Sequence, residues 1–117
     1  MSKKIRIYHN PACSKSRSTM KILTDNKADI SIVEYLRHPP DSEELDKVLN
    51  LLNIQPRELM RKHEKPYTEN NLDDPELSRK QLIQAMIDNP ILIERPIVIS
   101  GGTAIIGRPP EKVLEIL

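Results

Sequence analysis

His9-Asn10-Pro11-Ala12-Cys13-Ser14-Lys15-Ser16-Arg17 marks the junction between the first strand and the first helix of this chain. Upstream of it, Lys4 to Tyr8 alternates charged and apolar residues, with Ile5 and Ile7 on one face, and this predicts a short strand. Asn10-Pro11 breaks the strand, because a residue before proline is held extended. Ser14 to about Asn26 then reads as a helix, with Met20, Leu23 and Lys27 on one stripe and Ile22 beside it. Cys13, the chain's one cysteine, therefore stands where a strand hands over to a helix. The first turn of a helix leaves N–H groups unpaired and carries partial positive charge. A thiol there ionises more readily, and the thiolate is the reactive form. The same N–H groups can hold an oxyanion. A lone cysteine is more often a small buried hydrophobe. Here the neighbours from Asn10 to Arg17 are polar, basic or turn-forming, which does not suit an inert core position.

Downstream, Ile30 to Tyr35 is β-branched and alternating, so it predicts a second strand. With a helix between the two strands, a parallel βαβ unit is expected. Pro39-Pro40 marks a loop, and Asp41 with Glu44 is a capping pair for a helix carrying Leu45, Val48, Leu49 and Leu52. Pro56 can start another helix with Leu59 and Met60. Residues 62–75 are polar and read as loop or irregular chain. Ser78 and Gln81 cap a further helix through Met86, which Asn89-Pro90 ends. Pro96 to Ser100 and Thr103 to Gly107 are apolar runs joined by Gly101-Gly102, a hairpin signal. Pro109 to Leu117 predicts a short helix with Val113, Leu114 and Leu117 turned inward. The order is βαβ, a helical region, then ββα. It resembles the thioredoxin-like arrangement: an α/β fold with a mixed sheet, here with an inserted helical region, in which a cysteine caps the first helix.

At 117 residues the chain is expected to form one domain, residues 1–117. Its core must be aliphatic, since Phe and Trp are absent and only 3 Tyr occur. Lys+Arg 18 against Asp+Glu 17 gives a net charge of +1, which speaks against bulk nucleic-acid or membrane binding. An anion site must then be a local arrangement of basic side chains. A single Cys excludes an internal disulfide and a Cys-based zinc site, and no metal is expected. It suits a reducing cytosol. The first residues hold no apolar run of signal-peptide length, so a soluble, cytoplasmic monomer is the expectation.

An unperturbed thiol is only about 3% ionised at pH 7. Cys13 therefore needs the helix N-terminus plus a cation, from His9, Lys15, Arg17 or an arginine of another segment. Ser16, in the first turn, can place its hydroxyl near the sulfur. Two chemistries are excluded by spacing. A C-x5-R phosphatase loop needs Arg at position 19, which is Thr19, and a C-x-x-C dithiol needs Cys at position 16, which is Ser16. A monothiol cannot release itself through an internal disulfide, so an external thiol must complete any turnover.

Four separated motifs carry a resemblance. His9-Asn10-Pro11-Ala12-Cys13 is the first, and Leu59-Met60-Arg61-Lys62 followed by Pro66-Tyr67 is the second. Asn89 through Val98 (with Glu94-Arg95-Pro96) and Gly107-Arg108-Pro109 complete the set. In order and spacing these resemble the glutathione- and glutaredoxin-coupled arsenate reductase (ArsC) family. The ending after Arg108 resembles its shorter, YfgD-like branch. The resemblance implies that Cys13 attacks arsenate, or a related oxyanion, held by Arg61, Arg95 and Arg108. Guanidinium groups match tetrahedral oxyanions with forked hydrogen bonds and offset thiolate–anion repulsion. It further implies a cis Arg95-Pro96 bond facing the cysteine, His9 as a neighbour favouring the thiolate, and Ser16 bonded to the sulfur. Glutathione and glutaredoxin would be the reductants, with no bound cofactor.

Taken alone, each arginine is more often a solvated surface residue, though Pro96 forces Arg95 away from helix. Lys15 and Arg17 read mainly as solvated, and His38 and His63 as bland. Two other readings stay open. One is a non-enzymatic, Spx-like regulator of RNA polymerase, against which Ser16 in place of a second Cys and the three arginines argue. The other is a monothiol, glutathione-dependent oxidoreductase acting on another substrate.

Overall fold

The computed structural model describes residues 4–117, and the chain groups into two compact units. The first runs to His38 and resumes at Arg95–Leu117; the second is Pro39–Glu94.

In the first unit β1 (Lys4–Tyr8) is joined to β2 (Asp29–Val33) by α1 (Ser14–Asp25). The two strands pair in parallel, Ile5 opposite Ile30 and Ile7 opposite Ile32, as a helical crossover requires. Later, β3 (Ile97–Ser100) and β4 (Thr103–Ile106) form the hairpin expected around Gly101-Gly102, with Gly101 at φ +59 in the left-handed region that the turn demands. Antiparallel pairing of β3 with β1 gives one mixed sheet in the order β2-β1-β3-β4. This is the layout the sequence predicts for a thioredoxin-like α/β fold. β2 is shifted from the expected Ile30–Tyr35, because Glu34 already begins a turn: its carbonyl accepts the N–H groups of both Arg37 and His38.

Ile5, Ile7, Leu23, Val98, Val113 and Ile116 form the buried core, with Met20, Ile22, Ala28, Ile30, Ile105 and Leu117 against it. Full burial of such a side chain contributes about 1.5–3 kcal/mol. The last segment, Pro110–Ile116, is a 3-10 helix rather than an α-helix. Three residues per turn bring Val113 and Ile116 to one face. Leu114, expected inward, is exposed in consequence.

Lys27 does not lie on the α1 stripe. It sits at φ 57, its N–H donates to Thr24 O, and Ala28 N–H donates to Leu23 O. This is a Schellman ending with Lys27 in the left-handed position. α2 (Ser42–Leu52) ends the same way at Asn53, and α3 (Lys65–Glu69) at Asn71.

In the second unit α2 is capped as expected, with Glu44 N–H donating to Asp41 Oδ1 at 2.8 Å. α4 (Arg79–Asp88) carries the full reciprocal capping box of Ser78 and Gln81. Pro56–Leu59 is a 3-10 turn, and Met60 beyond it bridges to Ile93. The stretch 62–75, read as loop, contains α3. Its continuation is tied down by Arg57, whose Nε donates to Leu72 O at 2.8 Å and whose Nη2 donates to Asp74 O. Among the described residues no helix is long and apolar enough to cross a membrane.

Candidate active site

The site is built on the loop between β1 and α1. Asn10 organises it: Oδ1 accepts from Ala12 N–H at 3.0 Å, and its carbonyl accepts from Cys13 N–H at 3.0 Å. Such Asx turns let a short side chain stand in for a backbone turn. Arg17 reaches back to donate to Pro11 O at 2.9 Å, so its guanidinium holds the loop. Together these bonds deliver Cys13 to the N-cap of α1, with extended φ −96 and ψ 122.

An N-cap side chain faces the second and third N–H groups of its helix. Cys13 holds this position without a side-chain capping hydrogen bond, and its sulfur feels the field of the first-turn N–H groups. Burial by itself raises the Cys13 pKa; the Ser16 backbone N–H, the Arg95 guanidinium and the Lys15 backbone N–H outweigh it, so the thiol lies below its ordinary value. The half-buried thiol therefore ionises more readily than an ordinary cysteine and stays within reach of solvent.

Two supporting roles differ from expectation. Ser16 serves the sulfur through its backbone N–H, not its hydroxyl. The hydroxyl is buried, accepts from Asn10 N–H at 3.1 Å and lies 2.5 Å from His9 Nδ1. His9 is likewise not a cation beside the thiol. Burial lowers its pKa, Glu34 opposes this, and Arg17 adds to it. Nδ1 of the ring shares a hydrogen bond with the Ser16 hydroxyl. His9 therefore acts on the first turn of α1 through Ser16.

Two arginines converge on the cysteine. Arg95 is buried (8% exposed), and its peptide bond to Pro96 is cis, as the resemblance implied. Arg108 is half-buried and also precedes a cis proline, Pro109, which the sequence did not announce. Arg108 Nε donates to Arg95 O at 2.8 Å, and its Nη2 lies 3.8 Å from Cys13 Sγ. One guanidinium thus braces the backbone of the other while facing the sulfur. Two guanidinium groups beside the thiol make a concentrated positive field. That field suits a tetrahedral oxyanion whose central atom the sulfur attacks.

Arg61 belongs to the Pro39–Glu94 unit. Its N–H donates to Leu92 O at 2.7 Å, and Glu94 N–H donates to Leu59 O at 2.8 Å. Its guanidinium meets Glu64 at 3.1 Å, Glu94 at 3.8 Å and His63 Nε2 at 3.1 Å. His63, read as bland, thus adjoins a candidate site residue.

The structure also exposes a contact that the sequence pattern did not single out. An ideal Cβ on Gly107 would lie 2.7 Å from Thr19 Oγ1 and 2.9 Å from Pro96 Cγ. The only signal for it in the sequence is a glycine directly before Arg108-Pro109. Among the described residues no cluster of three or more His, Cys, Asp or Glu side chains is placed to hold a metal ion.

Known proteins share this framework. A family model described as ArsC family matches residues 8–116. The chain is 52% identical to the uncharacterized protein YfgD of Escherichia coli strain K12, over 100% of this chain and 99% of that one. It is 41% identical to an arsenate reductase of Neisseria meningitidis, over 97% of each chain. The solved structure of an arsenate reductase from Vibrio cholerae superposes with a TM-score of 0.96 at 45% identity, over 100% of both chains.

Proposed function

We propose, from the premise that this chain belongs to the ArsC family, that it reduces arsenate to arsenite at Cys13, with glutathione and glutaredoxin as the source of electrons. The name carried by the relatives from Neisseria and Vibrio supports the reaction. The observation that carries it is the approach of Arg108 Nη2 to 3.8 Å from Cys13 Sγ, with Arg95 also lowering the thiol's pKa.

The steps follow from the charges. Arsenate is an anion, and so is the nucleophile. Arg95 and Arg108, joined by Arg61 as the third arginine of the motif, offset their repulsion and orient the oxygens. Cys13 Sγ gives its electron pair to arsenic and forms an S–As bond. One As–O bond breaks, and that oxygen takes up protons and leaves as water. Two external thiols, glutathione and a glutaredoxin thiol, then supply two electrons and leave joined as a disulfide. Arsenic departs as As(III) in arsenite, and Cys13 returns as a thiol. Without a second cysteine the chain cannot supply these electrons itself. A reducing cytoplasm is the setting this chemistry needs.

The test is arsenate-dependent NADPH oxidation with glutathione, glutaredoxin and glutathione reductase. Turnover that disappears in Cys13→Ser is expected. No arsenate-dependent turnover, with Cys13 verified as free thiol, would refute the assignment.

A further inference from the structure

We infer that Gly107 is a positioning residue for this site: its missing Cβ lets Pro96 and Thr19 close on one another, which sets Arg95 and Arg108 against the turn that carries Cys13. The inference rests on the anion-site reading above and adds a residue to it.

Three segments meet at one point. Thr19 is fully buried on α1, with Oγ1 donating to Lys15 O at 2.9 Å in the turn that follows Cys13. Pro96 directly follows Arg95, and its carbonyl accepts Gly107 N–H at 2.9 Å. Gly107 directly precedes Arg108. An added Cβ would lie 2.7 Å from Thr19 Oγ1, 2.9 Å from Pro96 Cγ and 3.3 Å from Thr19 Cγ2.

None of these neighbours can swing aside. Threonine is stiff about χ1, and its hydroxyl is already committed to Lys15 O. The proline carbon belongs to a closed ring. Relief must come from moving backbone, and the backbones available carry Arg95, Arg108 and the first turn of α1. The glycine is not there for its dihedral freedom, since its φ lies outside the left-handed range where only Gly101 falls among the described glycines. It is there for close approach.

The experiment reads the site rather than the fold. Cys13 alkylation is followed against pH, with and without sulfate as an inert tetrahedral oxyanion, in wild type, Gly107→Ala, Thr19→Ala and the double variant. Gly107→Ala should move the alkylation midpoint to higher pH and raise the half-protecting sulfate concentration about tenfold, the loss expected for one displaced charge-assisted bond. Thr19→Ala places a better helix former on α1 and keeps the fold. It should move both readouts in the same direction by less. The double variant should lose less than the product of the single losses, because both changes act at one contact. A folded Gly107→Ala with a lowered melting temperature but an unmoved midpoint and unmoved protection would overturn the inference. Should that variant not fold, an unmoved Thr19→Ala would overturn it equally. Because the midpoint is read without arsenate, absent arsenate turnover in the wild type would count against the proposed function and not against this contact.

Discussion

Replacing Arg108 by alanine is the perturbation whose size the geometry sets most directly. Its Nη2 lies 3.8 Å from Cys13 Sγ. Unit charges near that separation interact by about 1 kcal/mol in water and about 4 kcal/mol at an effective dielectric constant of 20. Both side chains are half-buried, so the lower part of that range applies. A charge-assisted hydrogen bond to an oxyanion is worth about 1.5–3 kcal/mol. At about 1.4 kcal/mol per tenfold, losing it lowers kcat/KM for arsenate by about 10- to 150-fold. Arg108→Ala should fall toward the larger loss, because it also removes the 2.8 Å bond that braces the Arg95 carbonyl. Arg108→Lys keeps the charge but loses the fork and the Nε donor, so a loss of about tenfold is expected. The assay is the coupled arsenate reduction, run beside exchange of Cys13 with a small neutral disulfide. A loss below about threefold in Arg108→Ala would show that this guanidinium does not hold the oxyanion. So would an equal loss toward arsenate and toward the disulfide.

His9, neutral in the fold with its pKa lowered by burial, resists protonation that the unfolded chain accepts. Its contribution to stability is therefore complete above the ordinary histidine value near pH 6.5 and is lost as pH falls from there toward the folded value. Urea unfolding at pH 7.5 and pH 5 should show a smaller acid loss in His9→Gln than in wild type; equal losses would contradict this. Lys27→Gly removes a side chain from the left-handed Schellman position and should raise stability by about 1 kcal/mol, checked by thermal unfolding, where no gain would count against the reading. Arg61→Ala should raise the KM for arsenate about tenfold, as loss of one guanidinium bond would. It should leave arsenate-free alkylation of Cys13 unchanged, and steady-state kinetics beside alkylation rates separate the two.

Much of this was legible in the chain because the relevant signals are local. Alternation at Ile5 and Ile7, the capping pairs Asp41/Glu44 and Ser78/Gln81, and Gly101-Gly102 each act over a few residues, and each lies where it was expected. What escaped depends on distant partners or on the choice between similar local states. α3 lies in polar sequence, and the loop after it is secured by Arg57, an arginine distant in sequence, acting on backbone carbonyls. Lys27 looked like part of a helical stripe because periodicity does not reveal where a helix turns left-handed. Leu114 was misplaced because three residues per turn and 3.6 residues per turn differ by little over one segment. At the site, Cys13, Arg95 and Arg108 were legible as motif members, and the cis bond at Pro96 came with them. The Ser16 hydroxyl, expected near the sulfur, meets His9 Nδ1 and Asn10 N–H instead. Hydrogen-bond direction is a property of the folded site, not of residue type. Gly107 was invisible as a site residue because its role is an absence of atoms, which only the facing Thr19 and Pro96 make meaningful.

The proposed chemistry depends on a Cys13 thiol that ionises more readily than an ordinary cysteine and faces an oxyanion site. Its most direct test is the pH dependence of Cys13 alkylation in wild-type protein, with and without arsenate. A midpoint below the ordinary thiol value, together with slowed alkylation in arsenate, is predicted. A midpoint at the value of a free thiol, with no effect of arsenate, would contradict it.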